Sequence, residues 1–287
     1  IKFLKLIFLY LIFKMSILLY KYDNLVEGGK LIKRPSKSVK SPYMADIFIN
    51  DTETLAHCPT LGVSGLLNDE SEFYCSYNGD EKRKSNYTIE MVYLPSTKDT
   101  FILTNTNPNF GNKIFDSIIQ NNIIEKYKNY KLYKKEKKYK DSRFDFYIEK
   151  TDGNKEYIEI KSVLLCDFKK NNSHKSVKNP EISALKNYRK AAIFPDGFRK
   201  NKNVPISERA IKHLETLADC KKNNYDASLY FIIQRDDCDY FKPSDIDTFY
   251  YEALKKGISE GVSVKAIRVK WCEDGSCLFD KFIPIVI

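Results

Sequence analysis

The pattern of hydrophobic and polar positions changes about one third of the way along the chain. Up to about residue 104, short apolar or alternating runs are separated by turn residues, and no helical repeat is present. Six such runs follow one another: LVEGGKLIKR, YMADIFIN, ETLAHCP, SEFYCSY, YTIEMVYL and TFILTNT. Several short strands without a helix predict a small β-barrel or sandwich, which we place at residues 21–100.

Helical spacing appears only after residue 105. Ile114, Ile118, Ile119 and Ile123 recur at helical spacing, and Ser207 can cap a second amphipathic helix. A third helix is predicted to start at Ser244, with Asp247 as a capping-box variant, and to end before Gly261. Apolar strand candidates lie between and after these helices. The mixture predicts an α/β domain over residues 101–287.

The first twenty residues, IKFLKLIFLYLIFKMSILLY, are apolar but interrupted by lysines. The longest uninterrupted apolar run, residues 6–13, is too short to span a bilayer, and no small-x-small cleavage site follows it. We therefore predict that residues 1–20 are an upstream extension outside the fold, with the functional protein starting near Met15 and no stable membrane association. A targeting or membrane-anchoring leader is the alternative.

Charged residues interrupt two strand-like runs in FDFYIEKTDGNKEYIEIKSVLL, residues 144–165. Asp152-Gly153 predicts a turn between the runs. A three-residue loop would give Gly153 a left-handed conformation and place Asp145 opposite Glu159, with the apolar side chains on one face: Phe144, Phe146, Ile148, Ile158 and Ile160. The other face would carry the polar and tyrosine side chains: Asp145, Tyr147, Glu149, Lys155, Tyr157, Glu159 and Lys161. A two-residue loop would mix both kinds on both faces, so the hydrophobic pattern favours the three-residue loop.

Two carboxylates on neighbouring strands repel each other unless a cation neutralises them. Asp145 and Glu159 would therefore suit a divalent cation, and oxygen ligands favour Mg²⁺ or Mn²⁺. Lys161, on the same face, would reach a metal-bound water or a phosphate oxygen. The alternative is a solvent-facing strand pair in which Lys155 and Lys161 neutralise the glutamates, and the spacing fits both interpretations.

An Asp followed after a turn by Glu-x-Lys is the signature of the PD-(D/E)xK nucleases. The blocks around it resemble the sugar fermentation stimulation protein A (SfsA) family from about Tyr22 to Ile287. They occur in the family's order: AHCPTLG at 56–62, KRKSNYTIE at 82–90, SRFDF at 142–146, YIEIKSVLL at 157–165, FPDG at 194–197, SERAIKHL at 207–214 and FIIQRDD at 231–237. The resemblance implies a two-domain α+β protein. An N-terminal OB-like β-barrel would be followed by an α/β, restriction-endonuclease-like domain with a mixed central sheet.

The same resemblance implies DNA binding and metal-dependent hydrolysis of phosphodiester bonds. Asp145, Glu159 and Lys161 would be catalytic, and Asp145, Glu159 and the backbone carbonyl of Ile160 would hold Mg²⁺ or Mn²⁺. Basic and aromatic residues would contact the nucleic acid: Lys82, Arg83, Lys84, Tyr87, Arg143 and His213. Polar residues that would support the site are Asp116, Glu136 and Gln234.

Residues around this core differ from the family pattern. A family glutamate on the helix before the hairpin corresponds to Ser117 here, and a family Gly-Gln pair is Ala210-Ile211. Two basic stretches, at 169–190 and 199–205, are predicted to be insertions near the site. A DNA-binding, regulatory protein that retains a degenerate nuclease fold without catalysis is therefore the alternative function.

Composition adds a partner and a compartment to these predictions. The net charge of +10 and the pI of about 9.0 fit a nucleic acid, either single- or double-stranded DNA or RNA, although widely spread lysines are also typical of a solvated surface. The seven cysteines include no C-x-x-C pair, which predicts reduced thiols in the cytoplasm or another reducing compartment. The sequence does not distinguish a monomer from a homodimer.

Overall fold

The computed structural model describes residues 17–59, 71–79, 83–96, 100–166, 189–195 and 203–287. Three of the predictions concern segments outside these ranges: the leader up to residue 16, the contact residue Lys82 and most of both basic insertions. The strands, in chain order, are β1 Leu18–Lys21, β2 Leu25–Lys33, β3 Met44–Ile49, β4 Thr52–His57, β5 Glu72–Tyr77, β6 Tyr87–Pro95, β7 Phe101–Asn105, β8 Tyr130–Tyr139, β9 Ser142–Lys150, β10 Lys155–Val163, β11 Leu165–Cys166, β12 Ala191–Phe194, β13 Asp226–Ile233, β14 Tyr240–Pro243, β15 Ser263–Trp271 and β16 Ser276–Ile283. The α-helices are α1 Phe110–Gln120, α2 Glu208–Lys222 and α3 Thr248–Ser259.

Strands β2 to β7 form a six-stranded sheet in the order β4-β3-β2-β5-β6-β7. β4 also pairs with β6, through Ala56 and Tyr87, so that β2 to β6 close into a five-stranded barrel. The inward positions follow the strand alternation, as in β3, where Ala45, Ile47 and Ile49 are buried. The predicted OB-like barrel is confirmed.

The second sheet has seven strands in the order β1-β16-β15-β13-β10-β9-β8. β10, β13 and β15 run parallel to their neighbours in this group, and the outer pairs are antiparallel. A short third sheet has the order β11-β12-β14. The mixed sheet and its few helices confirm the predicted α+β class.

Helices cover both faces of the seven-stranded sheet. β13 shows this most clearly, because Leu229 and Phe231 belong to one apolar cluster, with α2 and α3, whereas Tyr230 and Ile232 belong to the other, with α1. A strand buried on both faces has a nearly continuous apolar sequence, which explains the run ASLYFII. The hairpin β9–β10 lies beside β13 and is covered in the same way.

Two of the predicted helix starts have different outcomes. Ser207 caps α2 as expected, since its hydroxyl accepts a hydrogen bond from the amide of Ala210. α3 begins at Thr248 and is capped by Asp247, whose carboxylate accepts from the amide of Tyr250, so the predicted start at Ser244 is wrong. Both Asp and Ser are good N-caps, so the conformation of the preceding loop decides which of them caps the helix.

Residues 18–20, which sequence analysis placed outside the fold, belong to strand β1. This strand pairs antiparallel with β16, and Leu18 lies opposite Leu278. Leu19 and Tyr22 are buried in the apolar cluster that contains Phe110 and Trp271. The prediction was wrong because the partner of β1 lies at the other end of the chain, where no local pattern reveals it.

Polar side chains join the barrel to the seven-stranded sheet. The hydroxyl of Tyr22 donates to Glu90 of the barrel at 3.0 Å, and that of Thr104 donates to the backbone carbonyl of Gln234 at 2.8 Å. Lys190 bridges Ser96 and Asp237, with its Nζ 2.7 Å from the Ser96 hydroxyl oxygen and 2.9 Å from Asp237 Oδ2.

All seven cysteines are free thiols, as predicted from their number and spacing. Among the described residues, no helix has both the length and the apolar character needed to cross a membrane.

Candidate nuclease site

The hairpin β9–β10 has the predicted three-residue loop. The amide of Lys150 donates to the carbonyl of Asn154 at 2.8 Å, and Gly153 has φ of +87°. Residues pair from Lys155 with Glu149 to Ile158 with Phe146, so that continuation of the register places Asp145 opposite Glu159. The predicted register is confirmed.

The strand alternation ends at Asp145. Phe146 and Ile158 pack on the α1 side of the sheet, but Phe144 packs on the α2 side, with its ring 6.3 Å from that of His213. The prediction that Phe144 shares a face with Phe146 was therefore wrong. Tyr147, Tyr157 and Glu159 share the α2 side of the sheet, as predicted, but this face is buried and is not a polar surface.

At this point of the hairpin, the side chain of Asp145 accepts a hydrogen bond from a strand amide. Its Oδ2 accepts from the backbone amide of Ile160 at 2.7 Å, and its Oδ1 accepts from the side-chain amide of Asn112 on α1 at 2.8 Å. Burial and the nearby charge of Glu159 raise the pKa of Asp145 to about 6, although these hydrogen bonds act in the opposite direction. Asp145 therefore feels the negative charge of Glu159, and the hydrogen bonds from Ile160 and Asn112 do not fully offset this repulsion.

Glu159 is buried on the α2 side and is held at one oxygen only. Its Oε1 accepts from Lys161 Nζ at 2.5 Å and from Nδ1 of His213. Among the described residues, its Oε2 is buried without a hydrogen-bond partner. Burial raises the pKa of Glu159, but the hydrogen bond from His213 and the charge of Lys161 outweigh burial, and the net direction is downward. Glu159 is therefore a carboxylate with one free oxygen.

His213 does not occupy the position predicted for it. The sequence predicted a contact with nucleic acid, but the His213 side chain is only 9% exposed and faces Glu159. Its ring also lies 6.3 Å from that of Phe144, so α2 holds His213 against the hairpin. It is a neighbour of the carboxylates and not a surface contact.

A cavity of about 530 Å³ opens beside Asp145 on the α1 side of the sheet. Glu136 lines it, and the pairing of Lys135 with Phe146 and of Lys137 with Phe144 places Glu136 opposite Asp145. Glu136 has φ of +57°, an uncommon conformation for a residue other than glycine in a strand. Three carboxylates, Glu136, Asp145 and Glu159, thus follow one row across neighbouring strands.

The other residues predicted near the site have their own partners. Arg143 is exposed, and its Nε lies 2.6 Å from Glu136 Oε2. Asp116 accepts from the Tyr133 hydroxyl and from Lys135, both at 2.6 Å. Ser117 is hydrogen-bonded to Asn121, the residue that follows α1.

Gln234 lies away from the carboxylates, contrary to the prediction that it supports them. It is fully buried, and its side chain links Ser162 to the indole nitrogen of Trp271. Sequence analysis could not separate this packing role from a site role, because Gln234 directly follows an apolar strand in either case.

On the barrel, Arg83 and Lys84 are exposed beside Tyr87, at the start of β6. Tyr77 of β5 lies opposite Tyr87, and their ring centroids are 5.2 Å apart. Tyr77 was not predicted to belong to this surface, although it stands at the end of a strand-like run in the sequence. Asn112 was not predicted as a site residue either, and the sequence carries no signal for it.

Among the described residues, no group of three or more His, Cys, Asp or Glu side chains is arranged to hold a metal ion by itself. The hairpin register places Asp145 opposite Glu159, whose Oε2 is buried without a hydrogen-bond partner among the described residues. The Ile160 amide donates to Asp145, and because the N–H and C=O of one strand residue point to the same side, we expect the Ile160 carbonyl on that side as well.

Comparison with known proteins gives consistent matches over most of the chain. Residues 109–275 match the profile of the sugar fermentation stimulation protein RE domain, SfsA. A sugar fermentation stimulation protein homolog of Pelagibacter ubique (strain HTCC1062) is 33% identical over 90% of this chain and 95% of its own length. A homolog of Clostridium acetobutylicum is 28% identical over 93% of this chain and 100% of its own.

A solved structure shows the same fold. Pyrococcus furiosus SfsA in complex with Ca²⁺ matches with a TM-score of 0.72 and 17% identity, over 94% of this chain and 100% of that chain. The profile match covers the hairpin and the strands from β8 to β15, and the Pelagibacter relative reaches 33% identity over 90% of this chain. The chain belongs to the sugar fermentation stimulation protein (SfsA) family.

Proposed function

We propose that this chain is a DNA-binding, metal-dependent nuclease that hydrolyses phosphodiester bonds. The observation that carries the proposal is the buried pair Asp145–Glu159, in which Glu159 Oε2 has no hydrogen-bond partner among the described residues, beside Lys161. Membership of the SfsA family, with its matched RE domain, supports the same class of protein.

The residues at the hairpin fit a hard divalent cation. Two carboxylates and one backbone carbonyl are all-oxygen donors, which suit Mg²⁺ or Mn²⁺. The raised pKa of Asp145 and the unpartnered Glu159 oxygen indicate negative charge that Lys161 alone does not offset. The Ca²⁺ complex of Pyrococcus furiosus SfsA supports a divalent ion in this fold.

The side chains around the pair hold it in place. Asn112 and the Ile160 amide fix the two oxygens of Asp145, and His213 fixes Glu159 Oε1, so Oε2 remains available. A cation bound there would lower the pKa of an attacking water and offset the charge that develops on the phosphate. Lys161 would orient that water or stabilise the negative phosphoryl oxygen.

Two surfaces would bind the nucleic acid. On the barrel, Arg83 and Lys84 beside the Tyr77–Tyr87 pair combine cations with aromatic rings, as in single-strand binding platforms. The edge strand β8 carries exposed lysines near the cavity: Lys134, Lys135 and Lys138. Glu136 would support the cation from the same strand, since it lines the cavity with Asp145.

A non-catalytic DNA-binding protein is the second candidate. The observation that favours it is the absence of a free carboxylate on α1, because Asp116 is held by Tyr133 and Lys135 and position 117 is a serine. Glu136 is paired with Arg143. If Glu136 does not reach the cation, the only proposed ligands at the hairpin are the two carboxylates of Asp145 and Glu159 and the Ile160 carbonyl.

The test is incubation of the purified protein with single- and double-stranded DNA and RNA in Mg²⁺, Mn²⁺ or EDTA. The variants are Asp145→Asn and Lys161→Ala, and the control is Asp245→Asn, an exposed carboxylate paired with Lys242. Binding of Mn²⁺ to the same proteins is measured by isothermal titration calorimetry.

We expect metal-dependent cleavage that both site variants lose by at least about a hundredfold and the control keeps. Asp145→Asn should also lose Mn²⁺ binding, and Lys161→Ala should retain it. Cleavage that survives both substitutions would contradict the proposed site. DNA binding that weakens steeply with salt, without cleavage in any metal, would support the non-catalytic candidate.

A further inference from the structure

The cavity beside Asp145 extends as a groove along α1, and it has an apolar wall. We call it the α1 groove; β1 contributes Leu19 and Tyr20, and β9 contributes Phe146. Its volume of about 530 Å³ lies within the range of small-ligand sites, roughly 300–1,000 Å³. Asp145 lines the same groove, so any group seated in it lies next to the proposed reaction centre.

Tyr20 is held rigidly in this wall. Its ring packs edge-on against Phe110, with the centroids 4.8 Å apart, and against Trp271, with the centroids 6.4 Å apart. The ring is only partly buried by these contacts. A fixed, partly exposed aromatic ring can stack on another flat ring at little entropic cost.

One cation of the groove is not neutralised. Lys135 is paired with Asp116, and Arg143 is paired with Glu136. Lys113, in contrast, is exposed and has no carboxylate partner among the described residues. Its Nζ lies over two rings, 4.3 Å from the centroid of Phe110 and 5.4 Å from that of Tyr20. Within the described part of the groove, a lysine without a carboxylate partner thus lies beside a partly exposed aromatic ring.

An aromatic ring beside a lysine is the pairing that binds an unstacked nucleotide, because the base stacks on the ring and the phosphate meets the ammonium group. A base within a duplex is covered on both faces by its neighbours and cannot reach a ring inside a groove unless it leaves the stack. Polar side chains that line the groove, including Asn112 and Gln120, could hydrogen-bond the edge of such a base.

We propose that the α1 groove is a subsite for one unpaired nucleotide that adjoins the scissile phosphate, with Tyr20 as the stacking residue and Lys113 as the phosphate contact. The inference rests on the proposed nuclease function, and it adds a preference for single-stranded, frayed or flipped DNA over continuous duplex.

The test measures binding without a metal, so that it does not depend on cleavage. Short single-stranded DNA oligonucleotides carry 2-aminopurine at successive positions, and the fluorescence of this base, which falls on stacking, is recorded with the full chain in EDTA at low salt. The variants are Tyr20→Leu, Tyr20→Phe and Lys113→Ala, each checked for folding by circular dichroism and by the emission of Trp271. Lys131→Ala is the charge-matched control, because Lys131 is exposed on β8 and pairs with Glu149.

We expect quenching at one position of the single strand and none in the duplex. Tyr20→Leu should abolish that quenching and weaken binding about tenfold, the loss that corresponds to one stacked base, whereas Tyr20→Phe should keep both. Lys113→Ala should weaken binding by a larger factor than Lys131→Ala.

Quenching that Tyr20→Leu leaves intact, equal emission at every position, or equal losses in the two lysine variants would overturn the subsite. Each of these results can occur while metal-dependent cleavage persists, and cleavage can be absent while the quenching follows Tyr20. Failure of the subsite and failure of the nuclease function are therefore distinguishable.

Discussion

At the scale of single residues, Asp145 carries a charge that the fold stabilises incompletely. Burial and Glu159 raise its pKa to about 6, even though the Ile160 amide and Asn112 both donate to it. Sites that bind cations commonly hold their acidic ligands in this way, because the ion supplies the missing charge. Without the ion, the ionised Asp145 should cost folding free energy.

Because the ionised Asp145 destabilises the metal-free protein, we expect Asp145→Asn to stabilise that protein at neutral pH. The folded-state pKa lies above the usual value of 3.8, so the wild-type free energy of unfolding falls as the pH rises between about 4 and 6 and is constant above. The variant lacks this loss and should be more stable by about 1–2 kcal/mol at pH 7.5.

Urea denaturation in EDTA, from pH 4 to pH 8, measures the difference between the two proteins. The advantage of the variant should grow through this window up to about pH 6, and Asp245→Asn should show no such trend. An advantage independent of pH, or a less stable variant at pH 7.5, would contradict the account of Asp145. Saturating Mn²⁺ should reverse the order by stabilising only the wild type.

The sequence revealed some site residues and not others, for a physical reason. Asp145, Glu159 and Lys161 belong to one hairpin, so local spacing was sufficient to connect them. Asn112 and His213 reach the same point from two helices on opposite faces of the sheet. Their positions depend on how those helices pack, and no single-sequence pattern encodes that.

At the scale of elements, the turn and the register of β9–β10 followed from alternation and from Gly153, which adopts the left-handed conformation that the loop requires. The break in alternation at Asp145 could not be predicted, because it arises from a side-chain hydrogen bond to a strand amide. The same limit applies to Glu136, whose left-handed backbone lies opposite that break.

The barrel depends on a second irregular element, the pair Gly28-Gly29 in β2. The pairing of β2 with β5 shifts its register between Glu27 and Lys30. A Cβ at Gly29 would lie 2.0 Å from the backbone oxygen of Phe48 on the neighbouring strand. The chain bends here because no side chain separates the two backbones.

Gly29→Ala is therefore expected to destabilise the protein by roughly 3 kcal/mol, since a backbone atom must move to make room. Gly79→Ala is the matched control, because its Cβ would meet only a Tyr77 ring atom at 3.6 Å. Urea denaturation followed by circular dichroism measures both. A cost of Gly29→Ala no larger than that of the control would show that β2 can relax without loss.

At the scale of the whole molecule, a buried ionic group helps to hold the barrel against the seven-stranded sheet. Arg235 is fully buried and lies 2.9 Å from Asp237, and Lys190 connects Asp237 to Ser96 of the barrel. Burial alone would raise the pKa of Asp237, but the charges of Arg235 and Lys190 outweigh it and lower the pKa well below its usual value. The group is thus stabilising only while Asp237 is ionised.

Asp237→Asn should destabilise the protein by about 3 kcal/mol at pH 7, because it leaves Arg235 and Lys190 buried without their carboxylate. A lowered folded-state pKa contributes stability above the unfolded value, near 3.9, that is lost as the pH falls below it. The difference between wild type and variant should therefore shrink below about pH 4. Denaturation at pH 7 and pH 3 measures it, and an equal difference at both values would contradict this role.

Strand β1 joins the sheet at its edge by pairing with β16, and Leu18 meets Leu278 some 260 positions later. The barrel thus lies in a segment of 88 residues, 22–109, that is inserted as a loop between the first strand of the sheet and the next element of the same domain, α1. Closing so long a loop costs chain entropy, so the pairing of β1 with β16 should be slow. Until β1 pairs, one edge of β16 has no partner strand. Folding should therefore proceed from the inner strands outward, and the wall of the α1 groove that contains Leu19 and Tyr20 should be its last part to form.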